Sequence, residues 1–590
     1  MRTLSGEALF NTFAAGGSRV IANQGELNEI NVFPVPDGDT GTNMAFTFHS
    51  ILENGQVYDS AGKTMRSIAE QALIGARGNS GIILAQFFGG LSEVIGDEGS
   101  VPVSLFARGV RHAVKGAYTA INRPVEGTML TVIRDWSEAV GAVAHKISDF
   151  AYLFEQSLRV AASSLKKTRT QLPVLEKARV VDAGAAGFVY FLRGALEFMR
   201  TGKKPALVSA PAPELEESHT PAFADDKIPL RYCTEALLRG ESLDLNKIRH
   251  LLGDLGDSLI VAGSASRARV HLHTNHPAKM FAALRPLGEL VQQKADDMVR
   301  QHEVVYHRKY AIALVTDSAC DLPQELIDRY QIHQVPLGLS IGDSRYLDKI
   351  TITPAEFYDL LDDVPEYPTT SQPGAAAFRH LYAFLGQYYD SVIAVHLSAA
   401  MSGTWSASEI EAARQSGKKI SIIDSRHLSG SLGLIVLRAA EEIAAGKSHE
   451  QVVAAVESCR AKADILVSVQ TLKYMVRGGR VSPLKGLAAR ILNLKPIVSV
   501  DPEGRSILYG KAFSQGANRR KILRMVRALH ADGPLRAYAV VHAHAEAGAE
   551  RFIRELEEIL GFPPLYSMDI SPVVGLNAGI GAVSVVTMKE

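Results

Sequence analysis

Two carboxylates separated by a single glycine stand in a polar run near the start of the chain. Gly38 lies between Asp37 and Asp39 and lets the backbone bend close to a ligand. Two neighbouring carboxylates repel each other unless a cation lies between them, and Mg²⁺ prefers oxygen ligands of this kind. The small polar residues that follow are Thr40, Gly41, Thr42 and Asn43. A surface Asp-Gly-Asp turn is the alternative interpretation, but the apolar frame from Val32 to Phe48 favours a site mounted on a core.

A second polar segment precedes an apolar helix. The glycine-rich run Gly75–Gly81 leads into Ile82–Phe88, which predicts a helix that begins at Ile82. Free backbone N–H groups and the positive end of a helix dipole both suit phosphate, whereas ordinary helix capping is the alternative. The candidate phosphate-binding residues are Gly78, Asn79, Ser80 and Gly81. Together the two segments predict a magnesium-nucleotide site that is neither a Walker loop nor a Gly-x-Gly-x-x-Gly fingerprint.

The bulk properties limit the class of protein. The chain has 590 residues, 46% of them apolar, and no net charge, so it has room for three or four domains but no global basic field for nucleic acid. Cys233, Cys320 and Cys459 lie far apart, which is typical of a reducing cytoplasm rather than of a disulfide framework. Neither a signal-peptide pattern nor an apolar stretch long enough for a bilayer is found, so we expect a soluble cytoplasmic protein.

The composition divides the chain into four parts. Residues 1–203 carry apolar residues at helical spacing, which predicts an all-α domain with its loops gathered at one end. Residues 204–226 are rich in proline and glutamate, which is typical of a linker. Residues 227–308 are typical of a small α+β domain. Residues 309–590 alternate strands with helices, which predicts an α/β domain.

Apolar runs that end in polar residues recur in the last of these parts. The runs are Ala311–Ser318, Val392–Ser398, Ile420–Ser425 and Ile465–Val469. Because they share one design and helical segments separate them, we expect them to form a parallel sheet with a ligand at its polar edge.

The motifs resemble known families. Residues 1–203 resemble the nucleotide-binding domain of dihydroxyacetone-type kinases, in the version found in bacterial fatty acid kinases, and residues 231–276 resemble the middle domain of that kinase. The motifs that carry these two resemblances are Asn31–Met44, Gly75–Gly81, Glu126–Thr131, Asp182–Gly187, Tyr232–Glu235 and Val270–Asn275.

The last part resembles a third family. Residues 311–590 are similar to the DegV family of fatty-acid-binding proteins, through Val315–Ser318, Thr370–Pro373, Ser402–Trp405, Asp424-Ser425 and Gly478–Arg480. Kinase and carrier are usually separate bacterial proteins, whereas here they stand in one chain. Such a fusion raises the effective concentration of each partner at the other.

The kinase resemblance implies roles for the polar residues of the first domain. Asp37 and Asp39 would hold one or two Mg²⁺ ions that bridge the phosphates of ATP, and Asn31 stands where polyol kinases have a third aspartate. Ser80, with the N–H groups of Gly78 and Gly81, would cradle phosphate. Further candidates around the nucleotide are Thr40, Gly41, Thr42, Asn43, Asn79, Thr128, Asp182 and Gly184. Helix capping is an equally weighted interpretation of Thr128 and Asp182.

The DegV resemblance implies a site for the carboxylate of a fatty acid. Its expected residues are Thr370, Ser371, Ser402, Gly403, Thr404, Arg480 and Asn577. Hydroxyl groups would hold the carboxylate, and Arg480 would add a charge-assisted hydrogen bond. Relatives commonly carry a histidine where this chain has Asn577, which cannot become cationic. A simple turn and a helix N-cap are the alternative interpretations of the Thr370 and Ser402 motifs.

The middle domain carries a candidate metal site. His271 and His273 point to the same face of a strand, and with Cys233 they form a ligand set that suits Zn²⁺ and leaves a fourth position open. The resemblance points the same way. A pair of solvated histidines beside a buried cysteine is the alternative.

Three functional hypotheses follow. The first is an ATP-dependent fatty acid kinase with a built-in carrier, which makes acyl phosphate for phospholipid synthesis by a downstream acyltransferase and dimerises through its kinase domain. A carboxylate acceptor is already ionised at neutral pH and needs no general base. The second is a kinase for a small hydroxylated substrate such as dihydroxyacetone, with a regulatory DegV domain. The third is a non-catalytic lipid-binding protein.

Overall fold

The computed structural model of the protein describes residues 1–33, 38–203, 228–479 and 494–590. Asp37, Arg480 and the predicted linker, residues 204–226, lie outside these ranges. The chain divides into two compact units, Met1–His302 and Glu303–Glu590. Within the described ranges, no helix combines the length and the apolar character that crossing a membrane requires.

The first unit begins with a helical domain. Its helices are α1 (Gly6–Ala22), α2 (Gln24–Glu29), α3 (Thr40–Asn54), α4 (Ala61–Gly75), α5 (Gly78–Ile95), α6 (Val103–Ala120), α7 (Met129–Ala144), α8 (Phe150–Gln171), α9 (Pro173–Ala178) and α10 (Ala183–Thr201). A short antiparallel ribbon, β1 (Thr3–Leu4) with β2 (Val101–Pro102), joins two of its ends.

Aromatic side chains at helical spacing form the core of this domain. Phe13 and Phe88 meet edge to face with their ring centroids 4.9 Å apart, and Trp136 and Phe188 do the same at 5.5 Å. Some of the helices are capped by polar side chains, such as Ser5, whose hydroxyl accepts a hydrogen bond from the N–H of Ala8. The all-α prediction is therefore confirmed for this part of the chain.

A four-stranded antiparallel sheet completes the first unit. Its elements are β3 (Tyr232–Arg239), α11 (Leu245–Leu252), β4 (Asp257–Gly263), β5 (Arg267–Thr274), α12 (Pro277–Leu284), a 3₁₀ turn (Arg285–Leu287) and β6 (Glu289–Asp297), with the strand order β4-β5-β3-β6. Ile260 and Ala262 on β4 belong to the same apolar core as the helices. Because Ile260 pairs with His271 on β5, the face that carries His271 is the face turned toward the helical domain.

Helix α13 (Met298–Tyr306) contains the division between the units, and the second unit is α/β. Its elements are β7 (Ile312–Asp317), α14 (Gln324–Arg329), β8 (His333–Val335), β9 (Gly338–Ile341), β10 (Ser344–Leu347), α15 (Pro354–Leu361), β11 (Thr369–Ser371), α16 (Ala375–Tyr388), β12 (Ser391–His396), α17 (Thr404–Ala413), β13 (Lys419–Asp424), α18 (Ser429–Ala444), α19 (His449–Arg460), β14 (Ala463–Ser468), α20 (Lys473–Arg477), β15 (Lys495–Val500), β16 (Ser506–Ala512), α21 (Gln515–Asp532), β17 (Leu535–His542), α22 (Glu546–Leu560), β18 (Ser567–Asp569), α23 (Pro572–Ala578) and β19 (Val583–Lys589).

The second unit corrects one prediction about its sheets. The strand order β13-β12-β7-β8 is a parallel sheet, as three of the four apolar runs predict. The fourth run, β14, instead lies in a six-stranded mixed sheet, where both of its neighbours, β15 and β19, are antiparallel. An apolar run buried on both faces has the same appearance in either sheet, so its partners cannot be read from it. A third small sheet has the order β10-β9-β11.

Candidate functional site

Helix α5 begins earlier than its apolar run. The sequence predicts a start at Ile82, whereas Gly78, Asn79, Ser80 and Gly81 already form the first turn. The glycines allow this because Gly78 has a φ of 57°, a conformation that side chains disfavour. The predicted loop is therefore the beginning of the helix itself.

The starts of three helices lie together around this turn. A methyl group built on Gly184, in the first turn of α10, would lie 2.7 Å from Ser80 Oγ. A methyl group built on Gly78 would lie 2.5 Å from Asn43 Nδ2, in the first turn of α3. These close approaches depend on the glycines, and they bring the positive ends of α3, α5 and α10 to one place.

Two of the N–H groups expected to bind phosphate are already engaged. Gly81 donates to the carbonyl oxygen of Arg77 at 3.1 Å, and Gly78 donates to Glu235 Oε1 at 2.6 Å. This corrects the expected roles of Gly78 and Gly81 as N–H donors. Among the described residues we find no acceptor for the N–H groups of Asn79 and Ser80, and Asn79 Oδ1 is buried without a partner. The open donors of the turn are thus those of Asn79 and Ser80.

The carboxylate of Asp39 is not used by its own helix. Asp39 is the N-cap of α3, yet its side chain accepts no hydrogen bond from the first turn. Gly38 has a φ of 64°, which agrees with its expected role as a bend. Asn31 is buried and accepts a hydrogen bond of 2.5 Å from Thr40 Oγ1, so both side chains hold the turn rather than face outward.

Thr42 and Gly41 pack against helix α2. The Thr42 N–H donates to Asn28 Oδ1 at 3.0 Å, and Asn28 Nδ2 donates back to Thr42 Oγ1 at 3.0 Å. A methyl group on Gly41 would lie 2.2 Å from the carbonyl oxygen of Gln24. Both residues therefore fix α3 against α2 in this structure.

Asp182 joins two helix starts. Its Oδ1 accepts a hydrogen bond of 2.8 Å from the N–H of Ala185 in α10, and its carboxylate also accepts from the N–H of Met129 in α7. Burial raises the pKa of Asp182 to about 6, against these hydrogen bonds, which lower it. The capping interpretation is confirmed for Asp182. Thr128 precedes α7, but its hydroxyl donates to the carbonyl oxygen of Val125 at 2.8 Å and caps nothing.

Cys233, His271 and His273 come together on the sheet of the first unit. One ligand atom from each lies within 4.8 Å of the other two, and Cys233 Sγ is 3.9 Å from His271 Nδ1. Strand pairing places them there, because Cys233 on β3 is directly opposite His273 on β5.

Each imidazole of this cluster has a carboxylate near one of its ring nitrogens. His271 Nδ1 is 3.6 Å from Glu235 Oε1, and His273 Nδ1 is 3.5 Å from Asp257 Oδ1. A carboxylate behind each ring leaves the other nitrogen for a metal, and His271 Nε2 is buried without a partner among the described residues. Burial and the neighbouring His271 lower the pKa of His273 to about 3, so the ring is neutral, as a ligand must be.

Charged residues that the sequence did not single out complete this face of the sheet. Lys294 on β6 is opposite Glu235, and its Nζ is 2.7 Å from Asp296 Oδ2. Burial lowers the pKa of Lys294, but the carboxylates of Asp296, Glu235 and Asp39 raise it well above its usual value. Lys294 thus lies within the electrostatic reach of the Asp39 turn. In the sequence these residues appear as charged residues at every second position of the strands. Short motifs do not contain this pattern.

The buried carboxylate of Glu235 is ionised. Burial alone would raise its pKa, but His271, Arg269 and Lys294 lower the pKa of Glu235 well below its usual value. Arg269, which is fully buried, donates from Nη2 to Glu235 Oε2 at 2.9 Å. The charge is therefore compensated inside the unit rather than by solvent.

In the second unit the predicted carboxylate residues are more accessible. Thr370 and Ser371 are exposed on β11, and Ser402 is half-buried, with its Oγ 2.8 Å from Thr404 Oγ1. A methyl group on Gly403 would lie 2.0 Å from the side-chain oxygen of Gln372, so the two motifs are neighbours. The N-cap position of α17 is Gly403, which makes no side-chain cap.

Asn577 lies in α23 and faces a different motif. Its Oδ1 is buried without a partner in the described part of the chain. A methyl group on Gly478 would lie 2.3 Å from that oxygen, so Asn577 is next to the start of the predicted Gly-Gly-Arg motif. Arg480 itself is outside the described residues.

The second unit also contains a buried polar network that the sequence did not indicate. His396 Nδ1 is 3.1 Å from Asp317 Oδ2, and its Nε2 is 2.9 Å from Ser408 Oγ. The Ser408 hydroxyl is also 2.5 Å from the Tyr382 hydroxyl. All four side chains are fully buried, so no substrate has access to the serine.

Comparison with known families agrees with this architecture. Residues 34–197 match the model of the DAK2 domain, and residues 229–305 match the model of a fatty acid kinase-like middle domain. Residues 311–590 match the DegV family, described as uncharacterised proteins.

Individual relatives match parts of the chain. An uncharacterised protein of Staphylococcus epidermidis is 34% identical over 319 residues, 51% of this chain and 56% of that protein. Protein YloV of Bacillus subtilis is 33% identical over 314 residues, 51% of this chain and 57% of YloV. The chain therefore spans little more than half the length of these curated relatives. A fatty-acid-binding DegV family protein from Thermus thermophilus is 30% identical and covers 48% of this chain and 100% of its own, with a TM-score of 0.44.

These matches describe a multidomain chain with a fatty acid kinase-like domain architecture. Within one chain, successive regions match the models of the DAK2 domain, of a fatty acid kinase-like middle domain and of the DegV family.

Proposed function

We propose that the protein is an ATP-dependent kinase that phosphorylates the carboxylate of a fatty acid, which its DegV domain holds, and releases an acyl phosphate. The observation that carries the proposal is the turn at Ser80. Helix starts converge on it, and two of its N–H groups and the Asp39 carboxylate remain available for a ligand. This turn stands in a chain whose middle domain is of the fatty acid kinase type.

The site has the parts that phosphoryl transfer needs. The N–H groups of Asn79 and Ser80 would bind a phosphate of ATP at the positive end of α5. The carboxylate of Asp39, free of its own helix, fits a Mg²⁺ ligand, with Asp37 as the second expected ligand. When bound, Mg²⁺ neutralises the charge of the phosphates.

A carboxylate acceptor explains why no base is required. A fatty acid titrates with a pKa near that of a glutamate side chain, about 4.3, and is an anion at neutral pH. Positioning and charge neutralisation then suffice for its attack on the terminal phosphorus of ATP, in which the bond to the bridging oxygen breaks and ADP leaves. Thr370, Ser371 and Ser402, as hydroxyl donors on neighbouring motifs, would hold the acid in the second unit, with Arg480 and Asn577 as further contacts.

Cys233, His271 and His273 would hold a structural Zn²⁺. A thiolate and two neutral imidazoles, each ring backed by a carboxylate, are ligands that zinc prefers. We expect the purified protein to contain about one zinc ion per chain by elemental analysis, and Cys233→Ser to lose it. Cys459→Ser is the matched control, because that buried thiol on α19 is outside the cluster. A full zinc content in Cys233→Ser would contradict the assignment.

The proposed reaction is tested by trapping its product. The full chain is incubated with Mg-ATP, a long-chain fatty acid and hydroxylamine, which converts acyl phosphate into a stable hydroxamate. We expect hydroxamate that depends on ATP, Mg²⁺ and fatty acid. Phosphorylation of dihydroxyacetone with no dependence on fatty acid would instead identify the small-substrate kinase. Fatty acid binding with no ATP turnover would identify a lipid-binding protein. We further expect an acyl-phosphate-using acyltransferase to consume the product, and a homodimer built through the kinase domain.

A further inference from the structure

Glu235 contacts both candidate sites of the first unit. It projects from β3 toward the helical domain, where its Oε1 accepts the N–H of Gly78 at 2.6 Å. The same oxygen is 3.6 Å from Nδ1 of His271, a member of the Cys/His/His cluster. Its second oxygen is held by Arg269 at 2.9 Å, with Arg77 at 3.8 Å.

We propose that Glu235 is a positioning residue that couples metal binding at Cys233, His271 and His273 to nucleotide binding at the first turn of α5. The inference rests on the proposed function, because it takes that turn to be the phosphate site and the cluster to be a zinc site.

The coupling follows from one shared oxygen. With a metal on His271 Nε2, the ring is fixed as an Nδ1–H donor, and its 3.6 Å separation from Glu235 Oε1 would close to a hydrogen bond. That oxygen is also the acceptor for the N–H of Gly78, which is the first residue of α5. The position of the carboxylate therefore determines where the first turn begins, and with it the direction of the N–H groups of Asn79 and Ser80.

A purely structural role in joining the sheet to the helical domain does not explain Glu235 well. Other contacts already join them without reaching either site. Gly263 N–H donates to Gln86 Oε1 at 3.1 Å, two turns further along α5, and Asn122 N–H donates to the carbonyl oxygen of Leu259 at 3.0 Å. Burying an ionised carboxylate carries a desolvation cost that neutral contacts avoid. Glu235 carries this desolvation cost at the position where a single carboxylate oxygen lies near both the Cys/His/His cluster and the first turn of α5.

The test measures binding rather than turnover. The dissociation constant of a non-hydrolysable Mg-ATP analogue is determined by calorimetry for the full chain, once loaded with Zn²⁺ and once stripped with a zinc-selective chelator. We expect stripping to weaken nucleotide binding about tenfold, within the usual range of coupling between sites. Because coupling is reciprocal, the analogue should tighten Zn²⁺ binding by the same factor, measured by competition with a chromogenic chelator.

Two variants separate coupling from folding. Glu235→Gln keeps an acceptor for Gly78 but removes the charge that orients His271, so the ratio of the two nucleotide constants should fall to within twofold of one. Gln86→Met removes the interdomain hydrogen bond on the same helix and should keep the ratio of the parent protein. If Glu235→Gln keeps the parent ratio, the proposal is overturned.

A measurement without any substitution covers the case in which Glu235→Gln does not fold. Amide hydrogen exchange in residues 78–81 is compared in the zinc-loaded and stripped parent protein. We expect faster exchange after stripping, and unchanged exchange together with an unchanged nucleotide constant would overturn the coupling. Failure of the analogue to bind in either state would instead reject the proposed function, so the two failures are distinguishable.

Discussion

Two buried polar groups, one in each unit, differ in whether hydrogen bonds within the chain satisfy them. In the first unit, Asn79 Oδ1 and His271 Nε2 are buried without a hydrogen-bond partner among the described residues. In the second, Asp317, His396 and Ser408 are fully buried, and their mutual hydrogen bonds satisfy them. By residue type the second group resembles a catalytic Ser-His-Asp arrangement. However, no substrate can reach these buried side chains, and they are hydrogen-bonded to one another.

For these two groups, the hydrogen bonding of the buried atoms distinguishes a candidate ligand site from a structural network better than the residue types do. A buried polar atom without a partner is costly unless a ligand completes it. Asn79 Oδ1 lies in the first turn of α5 and His271 Nε2 in the Cys/His/His cluster, which are the places where the proposed function needs ligand contacts. The hydrogen-bonded network around His396 and Ser408 should therefore contribute to the stability of the second unit and not to catalysis.

Removal of the Asp39 carboxylate should have the largest effect on activity. Asp39→Asn takes away the free carboxylate at the start of α3, so acyl phosphate formation should fall about 100-fold or more, as when a preorganised group at a developing charge is lost. The measurement is the hydroxamate yield under saturating Mg-ATP.

Asp149→Asn is the matched control for this variant. Asp149 also caps a helix of the same domain, where its Oδ1 accepts the N–H of Tyr152 at 3.0 Å, a bond that asparagine retains. Its activity should equal that of the parent protein. Equal losses in both variants would mean that Asp39 acts only through the helix.

Ser408→Ala should test the closed network. The substitution leaves the buried His396 ring and the Tyr382 hydroxyl without their shared partner, so the second unit should lose about 3 kcal/mol of unfolding free energy. Urea unfolding followed by Trp405 fluorescence, in a Trp136→Phe background, reports on this unit. As the control, Ser406→Ala at an exposed position of the same helix should hardly change the free energy of unfolding. A Ser408→Ala variant that keeps its stability but loses ATP turnover would contradict the structural role of this network.

Asp182 gives the first unit a pH dependence of known sign. Its pKa is raised by burial to about 6 in the folded chain, against about 3.9 when unfolded, so its protonated form favours folding. This contribution is present below pH 4 and is lost as pH rises to 6, on the order of 2–3 kcal/mol. Relative to the parent protein, Asp182→Asn should therefore gain stability between pH 4 and 7, measured by Trp136 fluorescence in a Trp405→Phe background. A constant difference across that range would contradict the assignment.

The carrier site should show the smallest effects. Thr370→Ala and Ser402→Ala each remove one hydroxyl from an accessible surface, so fatty acid affinity should fall about fivefold per variant, close to 1 kcal/mol for one hydrogen bond. Thr369→Ala removes an equally exposed hydroxyl of β11 that belongs to neither motif, and it should bind like the parent protein. Affinity is measured by displacement of a fluorescent fatty acid. Equal affinity in all three variants would move the carboxylate away from these motifs.

The sequence predicts the fold class and most elements of the first unit because long helices with apolar stripes are local features. In α7, for example, Met129, Val132, Ile133, Trp136 and Val140 are buried and recur at helical spacing. The strands that pair with β14 could not be predicted, because strand pairing joins residues that are distant in the sequence. The start of α5 at Gly78 could not be predicted either, because glycine-rich segments are not typical of a helix turn. The motifs indicate which residue types bind ligands at the site. The role of Glu235 could not be predicted from them, because it depends on the strand pairing that places Glu235 opposite His271.

The most direct test of the central claim is native mass spectrometry of the full chain with bound fatty acid, before and after addition of Mg-ATP. The account predicts a bound lipid whose mass increases by one phosphoryl group when Mg-ATP is added, and no such increase in Asp39→Asn. A chain that retains unmodified fatty acid in the presence of Mg-ATP, or that turns over ATP equally well without lipid, would contradict it.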